Sequence, residues 1–497
     1  YEMQRSLVGS EMCIRDSTTE GYYYVSQTAD AEPRQIEKIG TPSASDPVTT
    51  FNERMQYEQD LVSPGEGGCM LVGEDFRFTP KRRYTFDLPG RDDSQPVWFE
   101  CSFVAKTFNT SSLLVFEANG EAVQRNNSDM VASSSNDSYG REGRARHTVD
   151  MSGERLDLTV THSSSAMVYG AWLNYIAVNY TRRLALSSGG YLEFDAASTR
   201  LSLDASEAAG KALTVWDVTD PLEIRQIDCS DGSSAQWTNP YSGRRSYAAW
   251  RDGAAIPAPR FAGNVDNQNL HATEPVDMVI FTHPAMRQQA ERLAAIHRGE
   301  PDNMAVLVVN VDEVYNEFSS GSADVGGLRK FLKMLYDRGN SGERKLRFAL
   351  LMGRATYDER RLTAAMKSAT FLTMPSWQLR NESLSLSSTD GFETDDIIAM
   401  LDDNSGGDLG LDNLSIAVGR MPVTSARSAA VYVDKINEYL HKSRHTQWKN
   451  RILVLADRGN ENDNYTNDHI NQSESLLRHV GESEINPYIF EKVYLGA

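Results

Sequence analysis

Thr394-Asp395-Asp396, Asp402-Asp403 and Gly406-Gly407 are followed by the apolar run Leu414 to Val418 and the break Gly419-Arg420-Met421-Pro422. Behind the break, Ala426, Ala430, Val433, Ile436 and Leu440 recur at helical spacing. This stretch decides the fold. It reads as an acidic loop, a buried strand over 414–418 and an amphipathic helix over 426–440. Thr424 is the expected N-cap, because its hydroxyl can accept from a backbone N–H of the first turn.

Working outward, apolar runs alternate with amphipathic segments from Pro275 onward. Strands are expected at 278–281, 305–309, 348–352, 452–455 and 489–494. Helices are expected at 284–297, 325–336 and 469–479, the second with Leu328, Phe331, Leu332 and Leu335 on one face. Continuous apolar strands joined by helices predict a mainly parallel sheet covered on both faces. Ligands of such sheets sit at the carboxyl ends of the strands. The residues there are His283, Asp312, Gly353-Arg354, Gly419-Arg420 and Asp457.

Before Pro275 the period is two. Trp98 to Val104, Leu113 to Glu117, and Leu156, Leu158 and Val160 read as strands, as do Trp172, Ile176, Val178 and Tyr180 on one face of a long strand. Asn119-Gly120 is a hairpin signal. Together they predict a β-sandwich over 61–184. The polar run from Arg125 to about Arg146 reads as a long loop or irregular hairpin. A second small β-domain or extension is expected over 185–270, with strands at 191–194, 201–203, 213–216 and 244–250 and a turn at Asp220-Pro221. Residues 18–60 read as a linker with a short strand at Tyr22 to Val25. Ser6 to Ser17 resembles translated sequencing-adapter read-through, so 1–17 is expected to carry no fold information. Tyr1 is no natural start and no signal peptide is visible. The chain is expected to be cut at both ends.

Bulk chemistry narrows the function. At 497 residues, two to four domains are expected. The formal charge of −19 argues against nucleic acid and against docking on anionic membranes. The 4 cysteines, Cys13, Cys69, Cys101 and Cys229, form no CxxC and no zinc spacing. A Cys69–Cys101 bridge is one reading and plain buried thiols the other. No GxGxxG, Walker loop, GxSxG elbow or HExxH is present, which removes most support for nucleotide or serine-hydrolase chemistry. The acidic loop 402–408 offers oxygens for a hard cation such as calcium, although no Glu closes it as in an EF-hand. Solvated loop carboxylates are the plainer reading. Asp217 and Asp220 look like turn formers. No cysteine lies after Cys229, so the α/β part has no thiol of its own.

Several stretches in order give the α/β part a resemblance. Asp277 to Thr282, Val309 to Gly321, Gly327 to Leu332 and Phe348 to Gly353 come first. Thr394-Asp395-Asp396, Ile416 to Val423, Lys435-Ile436 with Tyr439, and Trp448 to Asp457 follow. The set resembles the gingipain-type cysteine peptidases of the caspase-like clan. Trp172 to Leu184 and Val215 to Pro221 are similar to the sortase family of the type IX secretion system. Gly353-Arg354 stands where a Gly-Asp is more usual.

The resemblance implies a multidomain chain, all-β and sandwich-like at first, then an incomplete α/β caspase-like domain over 271–497. It implies an enzyme at the outer membrane or cell surface of a Gram-negative bacterium. Its partners would be secreted cargo C-terminal domains and outer-membrane secretion components. The Cys nucleophile and His base of the family are expected beyond Ala497. Asp395, Asp396, Asp402 and Asp403 are the expected metal ligands, with calcium as loop support. The alternative is a binding or scaffold protein with an enzyme-like but never catalytic α/β module. A nucleotide-binding module is the third reading.

Overall fold

The structure is a computed structural model. It describes residues 21–25, 35–42, 45–65, 70–107, 110–128, 138–165, 169–208, 212–229, 233–340, 342, 344–378, 385–387, 393–406, 411–442, 447–457, 468–482 and 488–495. Residues 1–17, Cys69, Asp408 and the interior of the 457–468 loop lie outside them. Tyr22 to Val25 is described but is not a strand.

Nine strands come first: β1 (Glu37–Ile39), β2 (Thr50–Glu58), β3 (Lys81–Asp87), β4 (Val97–Thr107), β5 (Ser112–Ala118), β6 (Glu121–Ser128), β7 (Ser138–Val149), β8 (Arg155–Ser163) and β9 (Tyr169–Arg183). β3-β8-β5-β6 make one sheet and β2-β9-β4-β7 most of another. Phe86, Phe99, Phe116, Leu156, Leu158, Ile176 and Val178 form one buried cluster contributed by both sheets. That is the sandwich core, built from inward-facing alternate residues. Cys101 lies in it as a free, buried thiol.

Three expectations change here. The linker reading of 18–60 fails over 50–58, where β2 pairs with β9 from Thr50–Arg183 to Glu58–Tyr175. Phe51, Met55 and Tyr57 supply its alternation. The polar run 125–146, read as a long loop or irregular hairpin, contains half of β6 and most of β7. β7 hides its signal because its inward positions are Gly143, Ala145 and His147, and Gly143 has no Cβ because the Phe103 ring occupies that place. In β9 one extra residue disturbs the period. Ser102 pairs with Tyr175 but Phe103 pairs with Leu173, so Asn174 is a bulge. Ala171, Leu173 and Ile176 reach the core, while Trp172 packs with Val72 and Val104 on the other side.

The second β-unit has β10 (Tyr191–Ala196), β11 (Arg200–Asp204), β12 (Leu213–Asp217), β13 (Arg225–Ile227), β14 (Ser234–Thr238) and β15 (Arg245–Arg251). Its main sheet runs β1-β13-β12-β15-β10, with β11-β14 beside it, around Phe194, Leu201, Leu203, Trp237 and Tyr247. Asp217 is fixed inside by Thr219, Asn239 and Arg245.

The α/β part has β16 (Met278–Thr282), α1 (Arg287–Arg298), β17 (Val306–Asn310), α2 (Val311–Phe318), α3 (Val325–Asn340), β18 (Phe348–Met352), α4 (Ala364–Lys367), β19 (Trp377–Gln378), β20 (Ser385–Ser387), β21 (Glu393–Thr394), α5 (Asp396–Ala399), β22 (Ala417–Met421), α6 (Ala426–Asn437), β23 (Arg451–Ala456), α7 (Asp468–Gly481) and β24 (Ile489–Tyr494). β17-β16-β18-β22 is an all-parallel sheet. One face packs on α3 through Leu328, Phe331, Leu332 and Leu335, each fully buried. A large apolar side chain buried in this way contributes about 1.5–3 kcal/mol. The other face packs on α1 and α6 through Ala290, Leu293, Ala429 and Val433. β23 and β24 form a separate parallel pair beside α7. Among the described residues no helix is long and apolar enough to cross a membrane.

Within the deciding stretch two details move. The strand is 417–421 rather than 414–418, because Leu411 and Leu414 face solvent and Met421 pairs with Met352. The N-cap is Ser425, not Thr424: Ser425 Oγ accepts from Ser428 N–H while Ser428 Oγ accepts from Ser425 N–H.

Contacts between the β- and α/β-parts include an ion pair and a strand pairing. Arg360 pairs with Asp60 at 2.7 Å. The chain between β19 and β21 leaves the α/β part and adds β20 to the open edge of β7, completing the five-stranded sheet β2-β9-β4-β7-β20.

Candidate functional site at the carboxyl ends of the parallel strands

The strand order places the topological switch between β16 and β18, where an open α/β sheet opens its ligand crevice. His283 and Gly353 follow those two strands. Here the chain fills the crevice itself. His283 Nε2 bonds the Thr373 carbonyl at 2.6 Å. Met374 is fully buried, and a Cβ on Gly353 would lie 2.9 Å from Met374 Cβ. Met374 N–H donates to Arg354 O at 2.9 Å, and the Arg354 guanidinium lies over the Phe371 ring. The nucleotide-binding reading loses its place, since the crevice is plugged by residues 373–375.

Arg420 organises this end. Its two hydrogen bonds to Asp395 are Nε to Oδ2 at 2.8 Å and Nη2 to Oδ1 at 2.6 Å. Its other N–H groups donate to the carbonyls of Gly353, Met374 and Pro375 at 2.9, 3.0 and 2.9 Å. Every guanidinium donor is satisfied. The expected strand-end pair is therefore split: Gly419 lies inside β22, and Arg420 reaches back over the end of β18.

Around Arg420 lies a polar cluster that sequence reasoning missed. Tyr315, 5% exposed, carries a hydroxyl with no partner, and Glu359 Oε1 and Gln378 Oε1 are likewise buried and unpartnered. Burial pushes the Glu359 carboxyl up to about 8, opposed by Arg420 and by the Thr356 N–H and assisted by Glu393. Glu393 is also raised, by burial against the pull of Arg420. Burial lifts the Tyr315 phenol well above its ordinary value. Tyr357-Asp358-Glu359 has no motif pattern, and only the closing of the loop over Arg420 brings it here.

The other expected residues stand apart. Asp312 is exposed in the first turn of α2, and Asp457 is exposed just after β23. Asp395 gives both oxygens to Arg420. Asp396 is exposed in α5. Asp402 accepts from Tyr336 Oη at 2.9 Å and Asp403 pairs with Lys333 at 2.8 Å. Asp395, Asp402 and Asp403 have different partners, and the four carboxylates do not gather. Among the described residues no group of three or more His, Cys, Asp or Glu is arranged to hold a metal ion.

Two more histidines of the region are engaged with acids, His271 with Glu317 at 2.6 Å and His297 with Asp302 at 2.8 Å. With no cysteine after Cys229, 271–497 contains no thiol to pair with an imidazole. This end of the sheet is a closed, hydrogen-bonded assembly with one protonatable buried acid, Glu359.

Residues 271–497 match the model of peptidase family C25. The crystal structure of dimeric latent PorU from Porphyromonas gingivalis superposes with a TM-score of 0.72 at 25% identity, covering 84% of this chain and 40% of that one. The chain thus spans two fifths of the length of the PorU chain it matches. A CBM36-1 domain of a xylanase from a termite hindgut metagenome, at 10% identity over 26% of this chain and 95% of its own, reaches a TM-score of only 0.17 and carries no argument. No curated protein matches the chain. The family match and the shared fold make residues 271–497 similar to peptidase family C25, the gingipain type of cysteine peptidase, within a chain similar to PorU.

Proposed function

We propose that this chain is the portion of a secreted PorU-like cysteine peptidase that precedes its catalytic pair. The whole enzyme cleaves C-terminal sorting signals from type IX secretion cargo at the outer membrane or surface of a Gram-negative bacterium. The observation that carries this reading is the family match over 271–497 in a sequence with no cysteine after Cys229. The thiol and imidazole then come from sequence following Ala497, where a Gly-His-Gly and a later Cys are expected. Its substrates are cargo C-terminal domains, and its partners are outer-membrane secretion components.

The test is direct. Incubated with a cargo C-terminal domain, the chain alone leaves it uncut, whereas the chain extended through the downstream reading frame cuts it, and alkylation stops the cut. Cleavage by the chain alone that alkylating Cys229 abolishes would overturn the reading.

The plugged switch point favours a second reading for the four-stranded sheet, that of a supporting module which docks cargo or partners without catalysis. It is supported if the extended chain, with its downstream cysteine replaced, still binds cargo with unchanged affinity. Calcium at Asp402 and Asp403 is kept as a proposal for loop support. A melting temperature raised by calcium, lowered by EDTA and insensitive to both in Asp402→Asn/Asp403→Asn would support it. Equal melting temperatures in calcium and EDTA would remove it.

A further inference from the structure

We propose that the turn joining α2 to α3 is a docking seat for an extended Tyr-x-Tyr segment, filled in this chain by its own Tyr22 to Tyr24. The turn passes through two consecutive left-handed residues, Ser320 at φ 52° and Gly321 at φ 83°. Glycine is needed at 321 for space as well as for conformation. A Cβ there would lie 2.8 Å from the Tyr24 hydroxyl and 3.3 Å from Tyr22 Cβ. The Tyr24 hydroxyl donates to Asn316 Oδ1 at 2.8 Å. Asn316 is already oriented to receive it, because its Nδ2 donates to Gln268 Oε1 at 3.2 Å.

The segment itself has the right form. In an extended chain alternate residues share a side. Tyr22 and Tyr24 meet the turn, Tyr24 with half of its surface still exposed, while Tyr23 and Val25 are 61% and 97% exposed. Burial and the neighbouring Tyr22 raise the Tyr24 phenol, which keeps it a hydrogen-bond donor.

The seat is rigid from below. Gly321 N–H and Ser319 N–H both donate to the Tyr315 carbonyl, at 2.8 and 3.0 Å, and Ser319 Oγ donates to Ser322 O at 2.6 Å. Tyr315 is the buried residue whose ring end lies in the cluster around Arg420. A strap laid on this turn therefore ties the segment before β1 to the carboxyl end of the parallel sheet. The chemistry recognised is an extended backbone with two phenols spaced two residues apart.

Hydrogen exchange on the full chain tests this. Tyr22→Ala/Tyr24→Ala is expected to speed amide exchange over 316–322 at least tenfold. Tyr24→Phe, which keeps the ring and loses only the hydrogen bond, should do so by about fivefold, as for one ordinary hydrogen bond. A free peptide of residues 18–25 at millimolar concentration should slow exchange again in the double variant. Gly321→Val should make residues 21–25 cleavable by added protease. Unchanged exchange over 316–322 in both tyrosine variants would overturn the seat. A dimer that Tyr22→Ala/Tyr24→Ala dissolves would overturn its occupation within one chain.

Discussion

Arg420 and Asp395 meet fork to fork across 25 residues of sequence. Nε lies 2.8 Å from one carboxylate oxygen and Nη2 2.6 Å from the other, with both side chains largely buried. The same guanidinium caps the carbonyls of Gly353, Met374 and Pro375. A lysine cannot reproduce that planar fork. Arg420→Lys is expected to cost about 3 kcal/mol of stability, the range for breaking a buried ion pair. Urea denaturation measures it, and a loss under about 1 kcal/mol would put the pair in the class of exposed ion pairs.

Glu359 is expected to make the α/β part sensitive to alkali. Its folded carboxyl is raised to about 8, above the ordinary carboxylate value. A raised folded pKa means stability that is full below the unfolded value and lost as pH rises through the folded one. The urea midpoint should therefore fall between about pH 5 and pH 8, and Glu359→Gln should flatten that slope. An unchanged slope in the variant would assign the pH dependence to another group.

The sandwich should fail at the opposite end of the scale. His147 and His162 are 7% and 3% exposed, each with an unpartnered Nε2, and burial lowers both imidazoles. For His162, Asp75 opposes the shift. A depressed folded value means stability present above the unfolded value, near 6.5, and lost as pH falls below it. His147 sits between the rings of Phe99 and Phe116. His147→Phe should reduce the loss of melting temperature between pH 7.5 and pH 5, read by differential scanning calorimetry.

The cap of α6 separates two adjacent hydroxyls. Ser425→Ala removes the hydroxyl that accepts from Ser428 N–H and should cost about 1 kcal/mol. Thr424→Ala leaves that box intact and should cost less than half as much. Equal losses would restore Thr424 as the cap.

Gly143 and Phe103 are a packed pair across β7 and β4. Gly143→Ala forces its methyl into the ring and should destabilise by about 1–3 kcal/mol. Phe103→Leu added to it should recover part of the loss, a coupling read from a double-mutant cycle. Simple additivity would mean that the sheet relaxes locally.

The α/β part was legible because its strands are buried on both faces and its helices carry 3.6-residue periodicity, as in Leu328, Phe331, Leu332 and Leu335. The β-parts were legible where inward residues are large, as in β4 and β8. They were not in β7, whose inward positions are Gly143, Ala145 and His147, nor ahead of Asn174, where a bulge shifts the phase of β9 and turns Trp172 away from the core. Within the site, Arg420 and Asp395 lay in quoted motifs, but their pairing did not. Tyr315, Glu359 and Gln378 had no periodic or motif signal. Only the path of 353–378 over the sheet end brings them together, and that is a tertiary fact.

The pairing of β20 with β7 has a consequence for the order of assembly. Ser385 meets Arg141, so one ladder joins residues separated by about half of the chain. While a ribosome delivers the sequence, the sandwich is complete except along one border, which waits for a segment still to be synthesised. An open strand border invites strangers. A nascent sandwich is thus most vulnerable to mispairing before residue 385 emerges, and a chaperone that shields extended strands would act on it in that interval.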